Sequence, residues 1–347
     1  MMNAVTYLTR RCPQKCTYCK IRDSKLTRPD LDSKGWIEAF SILHKLGVDF
    51  NLILGNETWL LEDSLLPIME KNRIPYALYT TCPDPWFKKY RDTFFSSGFI
   101  DNLSCGVDYP LSYLKSKLSN SGRFDNDMEV KSYNAWKGFA YVKEKYPDID
   151  THGTMTVNAT NYLFLPDVIN ELSALGVFSA FNFIHWDIDE GFDFFPSREK
   201  IKDLVIQKEM YEDLREALRV TSENPGLLQN PQMLGIDFRE LLEMGWHCKG
   251  DPYGGPTIDA DGSCRCCGYR KGTRTPKFNI FDLVEPSRLE EWKEAVRLDA
   301  LDCPGCSWGY AWQYKYWQSE ESFGKVVFQR HAGKHIDEKY WATRRTV

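Results

Sequence analysis

Cys12-Pro13-Gln14-Lys15-Cys16-Thr17-Tyr18-Cys19 puts three thiols on one short segment. The thiolate is the ligand form of cysteine, and soft sulfur donors select iron–sulfur or zinc centres. Three protein ligands are one short of a closed structural zinc site. A four-iron cluster on three thiolates keeps one iron open to another ligand, whereas zinc would borrow a further group such as His44. A second set, Cys248, Cys267, Cys303 and Cys306, lies in the last third of the chain. Cys303-Pro304-Gly305-Cys306 has the shape of a metal knuckle, and four such thiols suit either an iron–sulfur cluster or a zinc ribbon. A shift of one residue would select Cys266 in place of Cys267; Cys264 and Cys266 are otherwise surplus, and Cys82 and Cys105 read as small buried side chains. His185-Trp186-Asp187 offers an imidazole and a carboxylate two residues apart, a spacing that suits acid–base work or hydroxyl binding.

The elements that must position these groups are legible in outline. Short β-type runs at Val5–Leu8, Phe50–Leu54, Tyr76–Tyr79, Leu103–Val107, Met155–Val157 and Phe181–Ile184 alternate with helical patterns. Ser33 is the expected cap of the first helix, with Trp36, Phe40 and Leu43 inward and Gly47 ending it. Further helices are expected around Leu61–Glu70, Trp86–Phe95, through Trp136 and Ala140, and from Pro166 to Gly176. Six βα units predict an α/β fold, a partial (β/α)6 TIM-like barrel, with its chemistry at the carboxyl ends of the strands. The three thiols follow the first strand, and His185 and Asp187 follow the sixth. Helical patterns at Ser197–Val220 and Gly235–Met244 form a bridge, and Pro256 to Cys267 reads as a hairpin turning at Asp261-Gly262. The expected organisation is therefore a barrel over 1–190, a helical bridge over 191–245 and a small metal-stapled lobe over 246–347.

Composition narrows the class. The chain has 347 residues, 44 basic and 49 acidic, for a formal net charge of −5. A chain of this length buries roughly three quarters of its unfolded surface and needs no covalent staples. Its 11 cysteines, an odd number, are therefore not a disulfide framework. The first apolar stretch is too short for a signal peptide and runs into Arg10 and Arg11. No run reaches the ~18 apolar residues of a membrane span. A cytoplasmic location, reduced thiols and no membrane partner are expected. The mildly acidic balance argues against a long phosphate-binding surface, so no nucleic-acid partner is expected.

The motif C-x(3)-C-x(2)-C after the first strand, with Tyr18 before the third cysteine, resembles that of the radical S-adenosylmethionine (radical SAM) enzymes. The resemblance implies a 4Fe–4S cluster on Cys12, Cys16 and Cys19. Its open iron would chelate the amino and carboxylate groups of S-adenosylmethionine, which is cleaved to methionine and a hydrogen-abstracting 5′-deoxyadenosyl radical. Tyr18 would lie beside the adenine. Gly55-Asn56-Glu57 resembles the Gly-Gly-Glu that receives the cofactor's ammonium, with Asn56 departing from the second glycine; Asn158 is a candidate ribose contact. Where the family often has Ser-x-Asp after strand four, this chain has Gly106-Val107-Asp108. The spacing of Cys248, Cys267, Cys303 and Cys306 resembles the twitch/SPASM-like domain and implies one auxiliary 4Fe–4S cluster.

Four thiolates would saturate that auxiliary cluster, which suits electron transfer. The resemblance thus implies net oxidation of a small molecule such as an aminocyclitol or sugar, with electrons from a flavodoxin- or ferredoxin-type donor. The alternatives are a maturase that oxidises or cross-links a ribosomally made peptide, and a non-catalytic zinc-binding protein. The motif begins by residue 12, so no fused leader-peptide-binding domain is expected ahead of it. The aromatic run Trp308, Tyr310, Trp312, Tyr314, Tyr316 and Trp317 reads as packing around the last cysteines or as a substrate platform.

Overall fold

The computed structural model describes residues 2–20, 29–53, 65–72, 76–248 and 255–307. Gly55, Asn56, Glu57 and the aromatic run after residue 307 lie outside the described residues. Six strands, β1 (Met2–Thr6), β2 (Val48–Ile53), β3 (Tyr76–Thr80), β4 (Ile100–Gly106), β5 (Asp150–Val157) and β6 (Phe178–Phe183), pair in parallel, each with the next in sequence. Parallel neighbours need a crossover, usually a helix. These are α1 (Ser33–Lys45), α2 (Leu65–Asn72), α3 (Trp86–Phe95), α4 (Leu111–Ser121) with α5 (Asp127–Lys145), and α6 (Leu165–Ala174). The order never reverses as a doubly wound sheet does, and is that of a barrel wall. All six carboxyl ends therefore lie on one side.

Local chemistry explains most boundaries. Asp32, not Ser33, caps α1, because its carboxylate accepts the Gly35 N–H at 2.8 Å; Ser33 is the first helical residue. Gly47 takes the left-handed φ of 85° that ends the helix. Trp36, Phe40 and Leu43 are buried on the sheet side, as the periodicity predicts. Helix α4 has no counterpart among the expected helices, since it buries only Leu114 and so shows no apolar stripe.

Past β6 the expectations need correction. The single helix expected over Ser197–Val220 is two 3₁₀ turns, Arg198–Leu204 and Lys208–Met210, followed by α7 (Tyr211–Glu223). The second, expected over Gly235–Met244, reduces to the short α8 (Phe238–Leu242), preceded by a 3₁₀ turn at Pro231–Gly235. Between α7 and α8, Ser179 of β6 donates to Leu227 O at 3.1 Å and Gln229 donates back to Ser179 O at 2.7 Å. That segment covers the outer edge of β6, which would otherwise offer unpaired backbone groups.

The hairpin forms as expected, with β7 (Thr257–Ile258) and β8 (Cys264–Arg265) antiparallel and Gly262 at φ 82° in its turn. β7 also pairs in parallel with β1, giving the order β6-β5-β4-β3-β2-β1-β7-β8. One sheet thus joins the segment carrying the first three cysteines to the hairpin carrying Cys264, Cys266 and Cys267. Helix α9 (Pro286–Leu301) then packs against the 3₁₀ turns Thr275–Lys277 and Ile280–Val284 that follow the hairpin, and leads to Cys303. Cys82 and Cys105 are buried, as expected, but not isolated: their sulfurs lie 3.6 Å apart. No helix among the described residues is long and apolar enough to cross a membrane.

Candidate functional site

Strand β1 delivers the chain to the carboxyl side of the sheet, and the cysteine loop spreads across it. A turn closes Cys16 to Cys19, with Cys19 N–H on Cys16 O at 3.1 Å. Gln14 donates to Thr81 beyond β3 at 3.3 Å. The Lys15 N–H reaches the Asp127 carboxylate at the start of α5 at 2.6 Å. Tyr18 donates to Asp108 beyond β4 at 2.9 Å. Lys20 bonds twice beyond β6, through its backbone to Phe194 O at 2.9 Å and through its ammonium to Asp187 at 3.1 Å. Loop position is thus fixed by the ends of three strands and one helix.

Cys12, Cys16 and Cys19 are each partly buried on this loop. Burial pushes the Cys16 thiol up, and the Lys131 ammonium pulls it back. Among the described residues no three histidine, cysteine, aspartate or glutamate side chains close on a single-ion site. The donor set, three thiols on one pinned loop at the strand ends, fits a cluster that takes one iron per thiolate.

Lys131 is a member of this site that the sequence pattern does not single out. It reaches from α5, only 6% exposed, to donate to Asp108 Oδ2 at 2.5 Å and to the Tyr18 hydroxyl. Asp108 also accepts the Thr156 N–H from β5 at 3.1 Å. Burial raises the Tyr18 phenol well above its usual range, so the hydroxyl stays protonated. The signal that could have revealed Lys131 is Gly106, since a glycine where the resembled motif has serine leaves room for another side chain.

The candidates after β5 and β6 have different surroundings. Asn158 is buried, and its amide is bonded within its own turn: Nδ2 to Thr156 O at 3.0 Å, Oδ1 from Thr160 N and Oγ1 at 2.9 and 2.7 Å. His185 packs against Phe192, Phe195 and Tyr269, with ring centroids 4.5, 4.6 and 5.2 Å away. Burial drives its pKa down to about 3, so it is neutral. Its Nδ1 lies 3.0 Å from Trp186 O, which can only accept; Nδ1 therefore carries the proton and Nε2 holds a lone pair, with no partner among the described residues. Asp187 instead holds Lys20 and the Phe192 N–H at 3.1 Å. His185 and Asp187 thus serve separate partners.

A buried charge network ties the hairpin to the loop. Arg10, just before the cysteine motif, and Arg265 of β8 both grip Asp259, the latter at 2.8 Å, and Arg265 also holds Asp193 at 2.7 Å. Burial alone would raise the Asp259 carboxyl, but the two guanidiniums hold it down to about 2. The Tyr7 hydroxyl donates to Gly268 O next to Cys267, and the Tyr7 ring lies 4.8 Å from Phe194, which packs near Cys12 and Cys19.

The second cysteine set comes from three segments that the fold brings together. Trp246 bridges Cys306, and His247 Nδ1 lies 3.0 Å from Cys303 O. Cys303, raised to about 11 mainly by burial, lies within electrostatic range of Cys267 and Cys248. Cys267 accepts the Arg270 N–H at 3.2 Å, which favours its thiolate, while the Cys266 thiol points to Val296 O of α9 at 3.8 Å. Cys264, on the hairpin itself, is fully buried and its thiol is pushed up strongly. Ser307, after Cys306, donates to Ile184 O at 3.2 Å, so this set abuts the end of β6 beside His185.

No family model matches the chain, and no curated protein matches it. Solved structures do. It aligns with anSMEcpe carrying bound AdoMet (S-adenosylmethionine) over 94% of this chain and 98% of that one, at TM-score 0.57 and 15% identity. With native anSMEcpe carrying AdoMet and the Cp18Cys peptide, coverage is 99% and 98%, at TM-score 0.54 and 15% identity. The chain has the radical SAM fold. SuiB of Streptococcus suis bound to S-adenosylmethionine shares it at TM-score 0.50 and 16% identity, over 76% of this chain and 59% of SuiB. The chain therefore spans about three fifths of SuiB's length. In the radical SAM fold the cysteine loop follows β1 here, on the side where barrel enzymes assemble their sites.

Proposed function

We propose that this chain is a radical SAM oxidoreductase, with its radical-generating 4Fe–4S cluster on Cys12, Cys16 and Cys19 and an auxiliary cluster on Cys248, Cys267, Cys303 and Cys306. The observation that carries it is the three-cysteine loop pinned across the carboxyl ends of β3, β4 and β6 in a parallel barrel wall. When bound, the first cluster and S-adenosylmethionine supply a reductively generated 5′-deoxyadenosyl radical that abstracts a substrate hydrogen. A flavodoxin- or ferredoxin-type protein is the proposed donor, and a cluster held by Cys248, Cys267, Cys303 and Cys306 would supply an acceptor for the electron left on the substrate.

The chain's own residues position and shield. Tyr18, held by Asp108 and Lys131, fixes one wall of the cofactor site. Lys20 and Asp187 close the loop onto the end of β6. Neutral His185 offers Nε2 as a hydrogen-bond acceptor for a substrate O–H or N–H, while Phe192, Phe195 and Tyr269 exclude water around it. Gly55 and Glu57 are the proposed ammonium contact and Asn158 remains a proposed neighbour of the ribose. The working division is a barrel over 1–190, a bridge over 191–245 and an auxiliary lobe over 246–347.

Net oxidation of a small molecule such as an aminocyclitol is one substrate reading. A peptide substrate is the second, favoured by the likeness over 99% of the chain to anSMEcpe with a peptide bound. The test is 5′-deoxyadenosine formation by the anaerobically reconstituted protein with dithionite and S-adenosylmethionine. Replacing Cys12, Cys16 and Cys19 by alanine should abolish it. Turnover persisting in that variant would remove the site assignment.

A further inference from the structure

Gly106 ends β4 without a side chain, and the space is not empty. A Cβ at position 106 would stand 3.0 Å from Lys131 Nζ and 3.3 Å from its Cε. An ammonium reaching over from α5 takes the place of the missing group. Lys131 and Asp108 form an ion pair at 2.5 Å, 6% and 0% exposed, and Tyr18 bonds to both. Asp108 is held further by Thr156 N–H, and its own N–H donates to Ser132 Oγ at 2.9 Å. A buried ion pair is a poor way to gain stability, because desolvation offsets the attraction. This one is fixed rigidly against a residue of the cysteine loop.

We propose that Lys131 and Asp108 tune the reduction potential of the cluster on Cys12, Cys16 and Cys19, with Tyr18 holding the charge pair against the loop. The inference rests on the reading that these thiols hold a cluster. Tyr18 lies between Cys16 and Cys19, and its hydroxyl accepts from Lys131 and donates to Asp108, so both charges are held against the cysteine loop. Reduction adds an electron. A fixed cation in a low-dielectric setting favours the reduced cluster, and a fixed anion favours the oxidised one. Lys131 is thus a positioning and tuning residue that eases reduction, and Asp108 restrains it.

The experiment is a redox titration of the reconstituted full chain, followed by EPR on the signal that changes when S-adenosylmethionine is added. Lys131→Met should shift the midpoint to more negative potential, and Asp108→Asn to more positive. The double variant should return towards the parent value, and Lys131→Arg should stay near it. Two single variants shifting the same way, or neither shifting, would overturn the proposal, since a merely structural pair has no opposite signs. If Lys131→Met fails to fold, Lys131→Gln keeps the length without the charge and should shift the same way; Asp108→Asn alone still tests the sign. Loss of the cluster reading would appear separately, as the absence of any signal that responds to S-adenosylmethionine in the parent protein.

Discussion

His185 shows how burial sets chemistry at a single residue. With a pKa near 3 in the fold against the usual 6.5, the folded state excludes a proton that the unfolded chain binds. Stability should therefore be fully present above pH 6.5 and fall as pH drops towards 3, by up to ~1.4 kcal/mol per pH unit from this group. His185→Phe should flatten that slope between pH 5.5 and 6.5 in anaerobic urea titrations; an unchanged slope would show that His185 is not the neutral, buried group described. The cysteines divide by the same logic. Cys267 has hydrogen bonds that favour a thiolate, whereas burial and then the Asp282 and Asp261 carboxylates disfavour one at Cys264. Cys267→Ala should lose about four irons of the reconstituted content, and Cys264→Ala none. Spacing alone leaves Cys266 and Cys267 as alternatives. What separates them is the Arg270 N–H on Cys267, a tertiary detail that no spacing carries.

At the scale of elements, the knuckle Cys303-Pro304-Gly305-Cys306 depends on its glycine. Gly305 has φ 151°, and a Cβ there would fall 1.6 Å from Met244 O. Gly305→Ala should push the knuckle off the segment that carries Cys248 and empty the auxiliary site, leaving S-adenosylmethionine cleavage by the first cluster intact. Metal analysis beside 5′-deoxyadenosine formation checks both halves. Elements with strong patterns are legible in the amino-acid sequence: α3 spans Trp86–Phe95 as expected, and Gly47 and Gly176 end α1 and α6 with left-handed φ. Those without a pattern are not. Helix α4 buries one leucine, and Arg198–Leu204 bends at Ile201, whose φ of −120° breaks the helix that its composition suggests.

The whole molecule is held by contacts distant in sequence, and these are the least legible. The pairing of β7 with β1 and the Arg10–Asp259–Arg265–Asp193 network join the two cysteine sets across about 250 residues of chain. Nothing in Arg10 or Asp259 taken alone announces the other. Lys131 is hidden for the same reason, although Gly106, its counterpart in β4, stands out as a departure from the serine of the resembled motif. The cysteines stand out because a proposed metal site constrains both residue type and spacing. The measurement closest to the central claim is iron and acid-labile sulfide in the anaerobically reconstituted full chain, beside a variant with Cys12, Cys16 and Cys19 replaced by alanine. About eight irons and eight sulfides in the parent and about four of each in the variant is the predicted result. Zinc without sulfide, or a variant that keeps the parent's iron, would contradict it.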